Sequence, residues 1–451
     1  MTDGEHAGQM KKSHLWGLLA AIMAVPLAYW VADLSFDAPW NLQLYALGRI
    51  LALEAFVLFL CQFILSSKIK VLERGMGLDR LLIIHRRLGK IGIFLILLHP
   101  FFLFSFTASQ GFSGELALRA LGLVDAQFSG PRSYGPLTIA IIILSGFILV
   151  SGTAILYGKI RLGYETWRKI HYLTYALIPL AFAHSTILGS DLQGGILMYY
   201  WYGMIIVYLF VLSHRIWKRS SIRGKPYKVT SVEKVSHDVW NLGFEGPEIE
   251  HKPGQFMILQ LKRKDKVSEA HPFTISSSPG KKPSVTVKSV GDFTSTIGET
   301  EISDTAYIDA PYGVFSFMNF EARDLVFIAG GIGITPFLSM LRYMRDAGLD
   351  RKVTLIWGNK TQEDIIFKEE IEALVDQLPS FKLVHVLSME EDWTGERGLI
   401  DKEVLKRHVD DFEHAEFFVC GPPPMNALVE GSLQELGVSK DRIHDERFSL
   451  R

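Results

Sequence analysis

Four histidines occur as two spaced pairs within apolar segments of this sequence. His85 and His99 are fourteen residues apart, and His171 and His184 are thirteen apart. Ionisable side chains inside membrane-length apolar segments are costly, which makes them candidates for function. On an α-helix the first spacing gives about 21 Å of rise and leaves both side chains within about 40° of one face. The second spacing gives about 20 Å, so the two pairs match in height.

Pairs matched in height predict two sites with two imidazole ligands each. His85 would face His171 and His99 would face His184, so each pair would supply both axial ligands of one b-type haem through Nε2. On an ideal helix the thirteen-residue pair misses a common face by about 140°. This mismatch predicts tilt or a local irregularity in that helix, with Pro179 as the candidate position.

Of two other interpretations of the histidines, one is excluded and one remains open at this point. A single zinc site for all four is excluded, because a separation of about 20 Å within each helix is incompatible with ligands about 2.0–2.1 Å from one metal ion. Interfacial or hydrogen-bonded histidines are the structural alternative. His14 and His214, which lie at segment ends without matched partners, are interpreted in that way.

Arg49 and Glu54 are charged residues within the second apolar segment. One interpretation is a mutual ion pair. The other places Arg49 near a haem propionate or beside the outer haem, where its guanidinium would stabilise a developing anion. The second interpretation makes Arg49 a candidate catalytic residue.

Six apolar segments would have to position these side chains. A helix needs about 20 apolar residues to cross the hydrocarbon core of a bilayer. The candidate segments are 15–32, 44–66, 88–107, 135–157, 170–189 and 196–213. Six such segments within about half of the chain predict a transmembrane bundle in contact with membrane lipid rather than a set of buried soluble helices. The first segment follows Lys11 and Lys12 but leads into further apolar segments, so it is interpreted as a retained span.

The distribution of basic residues predicts the orientation of this bundle. The connections 67–90 and 158–169 are rich in lysine and arginine, whereas the opposite set (33–43, 108–134 and 190–195) contains only Arg119 and Arg132. The positive-inside rule therefore places the basic connections, both termini and the downstream half in the cytoplasm, with the bundle in the inner (plasma) membrane. His85 and His171 would then be the inner histidines.

Charge and cysteine content exclude several classes of protein. The formal net charge is −1, which gives no indication of nucleic-acid binding. The two cysteines, Cys61 and Cys420, are far apart in the sequence and too few for a disulfide framework or a cysteine-ligated iron–sulfur cluster.

From about residue 223 the sequence changes to short alternating strands. The segment 271–279, which includes Ser276, is dense in hydroxyl groups along a strand edge and suits the hydrogen-bonding needs of a flavin. The following segment from Lys288 to Thr294 combines a lysine, hydroxyls and Gly291, where the backbone can approach a ligand closely. This combination predicts a pyrophosphate-binding loop.

A second phosphate-binding pattern lies further along the chain. A buried strand over 325–329 runs into Gly330, Gly331 and Gly333, and a helix follows with Pro336 near its start. Glycines let the backbone approach a phosphate group, and the helix N-terminus favours its negative charge. Strand–turn–helix context strengthens this pattern.

Later strands alternate with helices, which predicts a parallel α/β domain. The strand that ends at Cys420 opens onto Gly421 and Pro422, at the carboxyl edge where ligands bind in such sheets. Lys360 follows another strand and could contact the 2′-phosphate of NADPH; a solvated lysine is the alternative.

These motifs resemble the ferredoxin–NADP⁺ reductase superfamily, and residues 15–451 together resemble the prokaryotic-type NADPH oxidase and ferric reductase family. The resemblance implies FAD bound by His271, Pro272, Phe273, Thr274, Lys288, Gly291 and Thr294. It implies NADPH or NADH bound by Gly330, Gly331, Gly333, Thr335 and Pro336. It places Cys420, Gly421 and Pro422 beside the nicotinamide and Phe448 over the flavin ring. It also makes His85, His99, His171 and His184 the ligands of two b-type haems.

The implied organisation is multi-domain. A six-helix transmembrane di-haem domain would occupy residues 1–222. An antiparallel β-barrel FAD-binding domain would follow over 223–320, and an α/β parallel-sheet NAD(P)H-binding domain over 321–451.

The implied activity is electron transfer from cytoplasmic NAD(P)H through FAD and the haems to an acceptor across the membrane. Oxygen giving superoxide is the first candidate acceptor; a ferric or cupric chelate and an extracytoplasmic redox protein are the alternatives. Animal NADPH oxidases carry a further histidine where this chain has Leu103, which weighs against oxygen. His271 stands where soluble members usually have arginine, although the oxidase branch also has histidine there. A haem transporter or sensor that uses the nucleotide only as a signal is the remaining alternative.

Overall fold

The computed structural model describes residues 12–109, 135–157, 159–160 and 162–446. The chain divides into two compact units, Met1–Trp217 and Lys218–Arg451. Phe448 and most of the predicted outer connection 108–134 lie outside the described residues. The three-domain boundaries inferred from the sequence remain predictions.

The first unit is helical. Its described helices are α1 (Lys12–Asp33), α2 (Trp40–Leu65), α3 (Lys70–Met76), α4 (Leu78–Ser109), α5 (Gly135–Ile155), α6 (Tyr164–His171), α7 (Thr174–Leu188) and α8 (Ile196–Arg223). Four of them contain stretches long and apolar enough to cross a membrane: His14–Asp33, Trp40–Leu65, Arg80–Phe106 and Ile196–Arg223. The apolar part of α5, Ile139–Ile155, is shorter. A membrane protein is therefore supported, while the six-span bundle remains a prediction.

The fifth predicted segment, 170–189, is interrupted rather than continuous. Helix α6 ends at His171 and α7 begins at Thr174, so the irregularity lies at Tyr172 and Leu173. The expected position at Pro179 is wrong, because Pro179 lies inside α7.

The second unit contains two sheets. The first consists of β1 (Tyr227–Lys234), β2 (Val239–Glu245), β3 (Phe256–Arg263), β4 (Lys266–Val267), β5 (His271–Thr274), β6 (Ser284–Lys288) and β7 (Thr305–Tyr312). Their order is β4-β3-β7-β1-β2-β6, with β5 also paired to β3, and the pairings are antiparallel. The predicted antiparallel sheet is confirmed.

The second sheet is parallel, as predicted. Its strands are β8 (Asp324–Gly330), β9 (Lys352–Asn359), β10 (Phe381–Leu387), β11 (Glu396–Arg397), β12 (Glu416–Cys420) and β13 (Ile443–Glu446), in the order β11-β10-β9-β8-β12-β13. The accompanying helices are α9 (Thr335–Ala347), α10 (Lys368–Gln377), α11 (Lys402–His408) and α12 (Pro423–Glu435).

The central strands of the parallel sheet are buried on both faces. Phe327 and Trp357 pack into one apolar cluster, and Ile328 and Ile356 pack into another on the opposite side. Near-continuous apolar runs such as Leu325–Ala329 are what a strand covered by helices on both faces requires. This burial fixes the carboxyl ends of β8 and β12, where the glycine-rich segments begin.

Candidate functional site

His85 and His171, the histidines predicted to be the inner pair, face each other within the helical unit. The ring centres of His85 and His171 are 6.0 Å apart, with an interplanar angle of 62°. An imidazole nitrogen about 2 Å from a metal on each side places two axial ring centres roughly 6 Å apart. The separation therefore fits two imidazoles that would hold one metal ion between them.

The two histidines of α4 are held in the same way at two levels. Nδ1 of His85 is 3.1 Å from the carbonyl oxygen of Gln62, and Nδ1 of His99 is 2.8 Å from that of Gly48. A carbonyl only accepts, so Nδ1 carries the proton and Nε2 keeps its lone pair for a metal. The two acceptors on α2 are fourteen residues apart, as are the two histidines, so antiparallel α2 and α4 repeat one arrangement.

The remaining two histidines lie on either side of the interruption between α6 and α7. The ring of His171 stacks on Trp167, with ring centres 5.2 Å apart, and His184 is close enough to His99 to interact electrostatically. Within the described parts of the chain there is no group of three or more histidine, cysteine or acidic side chains that could hold one metal ion.

The interruption supplies rotation that a continuous helix would lack. Across it, the amide of Tyr175 bonds to the carbonyl of Tyr172 at 3.0 Å, and that of Ala176 to the carbonyl of Leu173 at 2.9 Å. These are 3₁₀-type bonds, which turn the chain by about 120° per residue instead of about 100°. The additional turn supplies part of the rotation that is needed to bring His171 and His184, thirteen residues apart, onto a common face.

Arg49 forms ion pairs with two carboxylates that the sequence did not identify. Its guanidinium is 2.7 Å from Asp191 and 3.2 Å from Asp33, and it donates to the hydroxyl of Ser190 at 3.1 Å. The mutual pair with Glu54 is not formed; both carboxylate oxygens of Glu54 are buried without a hydrogen-bond partner among the described residues. Arg49 would have to exchange these partners to stabilise a developing anion.

The predicted flavin residues lie at one end of the antiparallel sheet. The ring of His271 on β5 stacks on Phe293, with centres 4.3 Å apart and planes within 7°. This contact brings His271–Thr274 next to the loop that carries Gly291 and Thr294. The hydroxyl of Thr274 is buried without a hydrogen-bond partner among the described residues, so a ligand could supply one. Phe293 was missed because a single aromatic in a loop carries no signal of its own.

The other predicted flavin residues already have partners within the protein. Thr294 accepts hydrogen bonds from the amides of Val290 and Gly291 at 3.0 and 2.8 Å, which closes the loop on itself. Lys288 lies 3.2 Å from Asp238. The hydroxyl of Ser276 is buried and accepts from Thr286 at 3.1 Å. Its amide donates to the carbonyl of Ser284 at 2.9 Å and its carbonyl accepts from Arg342 at 2.7 Å, so Ser276 already has hydrogen-bond partners within the protein.

The glycine-rich turn after β8 is packed against the end of β12. Gly331 has a φ of +51°, which favours glycine. A side chain at Gly333 would overlap the carbonyl of Cys420, and one at Gly330 would meet Met425 at 2.5 Å. The short turn Gly331–Ile334 leads directly into α9, which begins Thr335-Pro336. This places helix amides and open backbone at the edge where a pyrophosphate would bind.

Cys420 is fully buried at this edge. Burial, followed by the nearby carboxylates of Glu446 and Asp445, raises the pKa of the Cys420 thiol well above its usual value. The side chain is therefore a neutral thiol at physiological pH and not a thiolate nucleophile. Gly421 and Pro422 follow at the same edge, and Pro422 precedes the first residue of α12.

Lys360 is exposed at the end of β9, with acidic residues nearby. Its carbonyl accepts from the amide of Met389 at 2.8 Å, and the carboxylate of Glu390 accepts from the amide of Gln362 at 3.0 Å. The loops after β9 and β10 therefore lie together. A carboxylate beside a lysine gives this edge mixed charge, which suits ribose hydroxyls as well as a 2′-phosphate.

Three family models match successive parts of the chain. Residues 51–182 match the ferric reductase like transmembrane component, 225–323 match an FAD-binding domain, and 327–431 match an oxidoreductase NAD-binding domain. The three matches fall, in chain order, within the helical unit, the region of the antiparallel sheet and the region of the parallel sheet.

Curated relatives match just under half of the chain. The glycine betaine monooxygenase reductase subunit of Pseudomonas aeruginosa is 32% identical over 206 residues, which are 44% of this chain and 56% of that protein. The chain thus spans little more than half of that relative's length. NADH–cytochrome b5 reductase 1 of Arabidopsis thaliana is 30% identical over 229 residues, 48% of this chain and 82% of the relative.

The chain is also similar to solved structures. The flavohemoglobin of Malassezia yamatoensis is 20% identical with a TM-score of 0.48, and the match covers 74% of this chain and 92% of that one. The FAD/NAD-binding domain of nitric oxide dioxygenase from Vibrio cholerae is 21% identical with a TM-score of 0.45, covering 49% of this chain and 97% of that one.

Proposed function

The chain belongs to the ferric reductase and NADPH oxidase type of membrane flavoenzyme, an NAD(P)H oxidoreductase, and from that premise we propose that it delivers electrons to an acceptor across the membrane through two bis-histidine b-type haems. The observation that carries this proposal is the inner histidine pair, with ring centres 6.0 Å apart. The repeated Nδ1–carbonyl arrangement of His85 and His99 supports a second site of the same kind.

The histidines divide between the two sites by height. His85 and His171 would hold the inner haem, and His99 and His184 the outer one. FAD would bind at His271–Thr274 and the Gly291–Thr294 loop, and NADPH or NADH at the turn after β8. When bound, the flavin supplies conversion of a hydride into single electrons, and the haem irons supply one-electron relay.

The chain's own residues orient these groups. The carbonyls of Gln62 and Gly48 fix the imidazole tautomer and aim Nε2 of His85 and His99 at the metal positions. The amides at the start of α9 and the glycines before them bind the dinucleotide's phosphates. The neutral thiol of Cys420 lines the nicotinamide edge without competing as a nucleophile. No side chain has to act as a general acid or base.

Two acceptors follow from different observations. Oxygen, reduced to superoxide, suits two irons that each already have two protein ligands, because electron transfer would then be outer-sphere. A ferric or cupric ion is favoured by the group around Arg49, since two carboxylates face one guanidinium there. An extracytoplasmic redox protein is the third candidate electron acceptor.

We propose the inner (plasma) membrane as the location, with the reductase half cytoplasmic.

Four alanine substitutions test the haem assignment. His99→Ala and His184→Ala should each reduce haem content from two to one per chain and leave the same remaining spectrum. His85→Ala and His171→Ala should remove the other haem. His14→Ala, an exposed histidine of α1, is the control and should retain both. Retention of two haems in all four variants would contradict the assignment.

The acceptor is tested separately with the intact protein. Purified protein supplied with FAD and NADPH is exposed either to air or, without oxygen, to a ferric chelate. Stoichiometric superoxide with little chelate reduction supports the oxidase. Rapid chelate reduction with sluggish reoxidation by oxygen supports the metal reductase.

A further inference from the structure

Three prolines lie inside the described helices of the first unit, Pro26 in α1, Pro100 in α4 and Pro179 in α7, and each leaves one backbone carbonyl without its helical partner. Two of these carbonyls are bonded by side chains of α8. Pro26 in α1 has no N–H for the carbonyl of Ile22, and Pro179 in α7 has none for that of Tyr175. Where a helix lies in the hydrocarbon region, water cannot satisfy such a carbonyl. A side chain from another helix can do so instead.

Tyrosines of α8 satisfy both carbonyls. The hydroxyl of Tyr200 donates to the carbonyl of Ile22 at 2.8 Å, and that of Tyr208 donates to the carbonyl of Tyr175 at 2.6 Å. The chemistry of the two contacts is the same, but their positions differ. Tyr175 lies between His171 and His184 in the sequence, whereas α1 carries no proposed haem ligand.

Tyr208 is the middle member of a regular series on α8. Trp201, Tyr208 and Arg215 are spaced seven residues apart, which on an α-helix leaves neighbouring members within about 20° of one face. The indole of Trp201 donates to the hydroxyl of Ser185 at 2.8 Å. Arg215 donates to the hydroxyl of Tyr175 and, at 2.7 Å, to that of Ser66. All three therefore contact α7.

These contacts hold α7 at both ends. Ser185 is adjacent to His184, and Tyr175 is the second residue of α7, directly after the interruption. Trp201 and Tyr208 are 1% and 2% exposed, so their hydrogen bonds are shielded from solvent. Because regular α-helical hydrogen bonding is interrupted between α6 and α7, the contacts from α8 help to set the rotation of α7 about its axis.

We propose that Trp201, Tyr208 and Arg215 form a ligand-positioning ladder that sets the rotation of α7 and, through it, the orientation of the His184 imidazole relative to that of His99. The three are positioning residues, since none is assigned a contact with a haem. The inference rests on the proposed function, because it concerns the ligands of the two haems. Helix α8 would thus determine the geometry of the outer haem without ligating it.

A purely structural role for these side chains predicts a different result. Loss of a buried hydrogen bond would lower stability wherever it occurs, including at Tyr200. A positioning role changes the angle between the imidazole planes, to which the electron paramagnetic resonance signal of a low-spin ferric haem responds. Full-length protein containing both haems is the sample for this measurement.

Tyr208→Phe and Tyr200→Phe form a matched pair. Each removes one hydroxyl that donates to a carbonyl freed by a proline. Tyr208→Phe should shift the low-spin ferric signal of the outer haem and its midpoint potential, while Tyr200→Phe should leave both at their wild-type values. Equal shifts in the two variants, or no shift in either, would overturn the proposal.

Ser185→Ala and Thr186→Ala provide a second pair if Tyr208→Phe does not fold. Ser185→Ala removes the acceptor of the Trp201 indole, whereas the hydroxyl of Thr186 donates to backbone carbonyls of its own helix. Ser185→Ala should shift the outer-haem signal alone, and Thr186→Ala should not. Wild-type protein without two haems would refute the proposed function itself, whereas two haems with unchanged signals in Ser185→Ala would refute only the ladder.

Discussion

Replacing Gly48 with alanine should disturb the proposed outer histidine site, because the carbonyl of Gly48 accepts the hydrogen bond of His99. A Cβ there would lie 3.2 Å from both Leu103 Cδ2 and Phe102 Cβ and 3.4 Å from the carbonyl oxygen of His99. Carbon contacts are optimal at about 3.5–4.0 Å, so α4 must move away by a few tenths of an ångström. The carbonyl of Gly48 also accepts from Nδ1 of His99 at 2.8 Å, and this movement lengthens that bond.

The cost to folding stability and the loss of haem affinity together decide the effect of Gly48→Ala. Overpacking of this kind costs about 1–3 kcal/mol, and the helix-propensity gain of about 1 kcal/mol from Gly to Ala offsets part of it. The protein should therefore still fold. Disturbing a hydrogen bond that orients a metal-ligating histidine weakens metal affinity by about 10–100-fold. The outer haem should thus be lost preferentially while the inner haem remains.

Haem content per chain and the reduced spectrum measure this effect. Gly203→Ala on α8 is the matched control, because a Cβ there meets nothing within 4 Å and gains the same helix propensity. Gly48→Ala should fall towards one haem per chain, and Gly203→Ala should retain two. Two haems with an unchanged spectrum in Gly48→Ala would refute the assigned role of the Gly48 carbonyl.

Three further predictions concern the soluble half. Lys360→Ala should raise the KM for NADPH more than that for NADH. Glu390→Gln should lower the KM for NADPH, because a carboxylate repels a 2′-phosphate. Equal effects on the KM values of both coenzymes, measured by steady-state kinetics, would contradict these roles. Cys420 should resist a maleimide at pH 8 until the protein is denatured, because it is buried and its thiol pKa is raised; native labelling at Cys420, located by mass spectrometry, would contradict this. Arg407 and then His408 lower the pKa of Glu396 from 4.5 to about 2, so this carboxylate stabilises the folded state above pH 4.5 and loses its effect as the pH falls towards 2. Glu396→Gln should therefore lower the melting temperature at pH 7, through a loss of about 1 kcal/mol or less, and the difference should shrink below pH 4.5; flavin fluorescence reports it, with Glu403→Gln as the control.

Local sequence signals predicted the elements of this fold well. The alternating strands and the glycine-rich turn depend on spacing and backbone conformation within a few residues, so the antiparallel and parallel sheets followed from them. The paired histidines were found from helix geometry alone, and the structure brings His85 and His171 together.

Long-range partners could not be predicted in this way. The interruption at Tyr172 and Leu173 carries neither proline nor glycine, while Pro179 is accommodated inside α7 because Tyr208 of another helix satisfies the freed carbonyl. Arg49 pairs with Asp191, which lies 142 residues away, rather than with its near neighbour Glu54. Such pairings depend on how the helices pack, which no local pattern encodes.

An anaerobic optical spectrum of purified, FAD-supplemented protein, recorded before and after NADPH, tests the central claim most directly. Two b-type haems per chain, both reduced by NADPH, are predicted. Absence of haem bands, or haem that NADPH leaves oxidised, would contradict it.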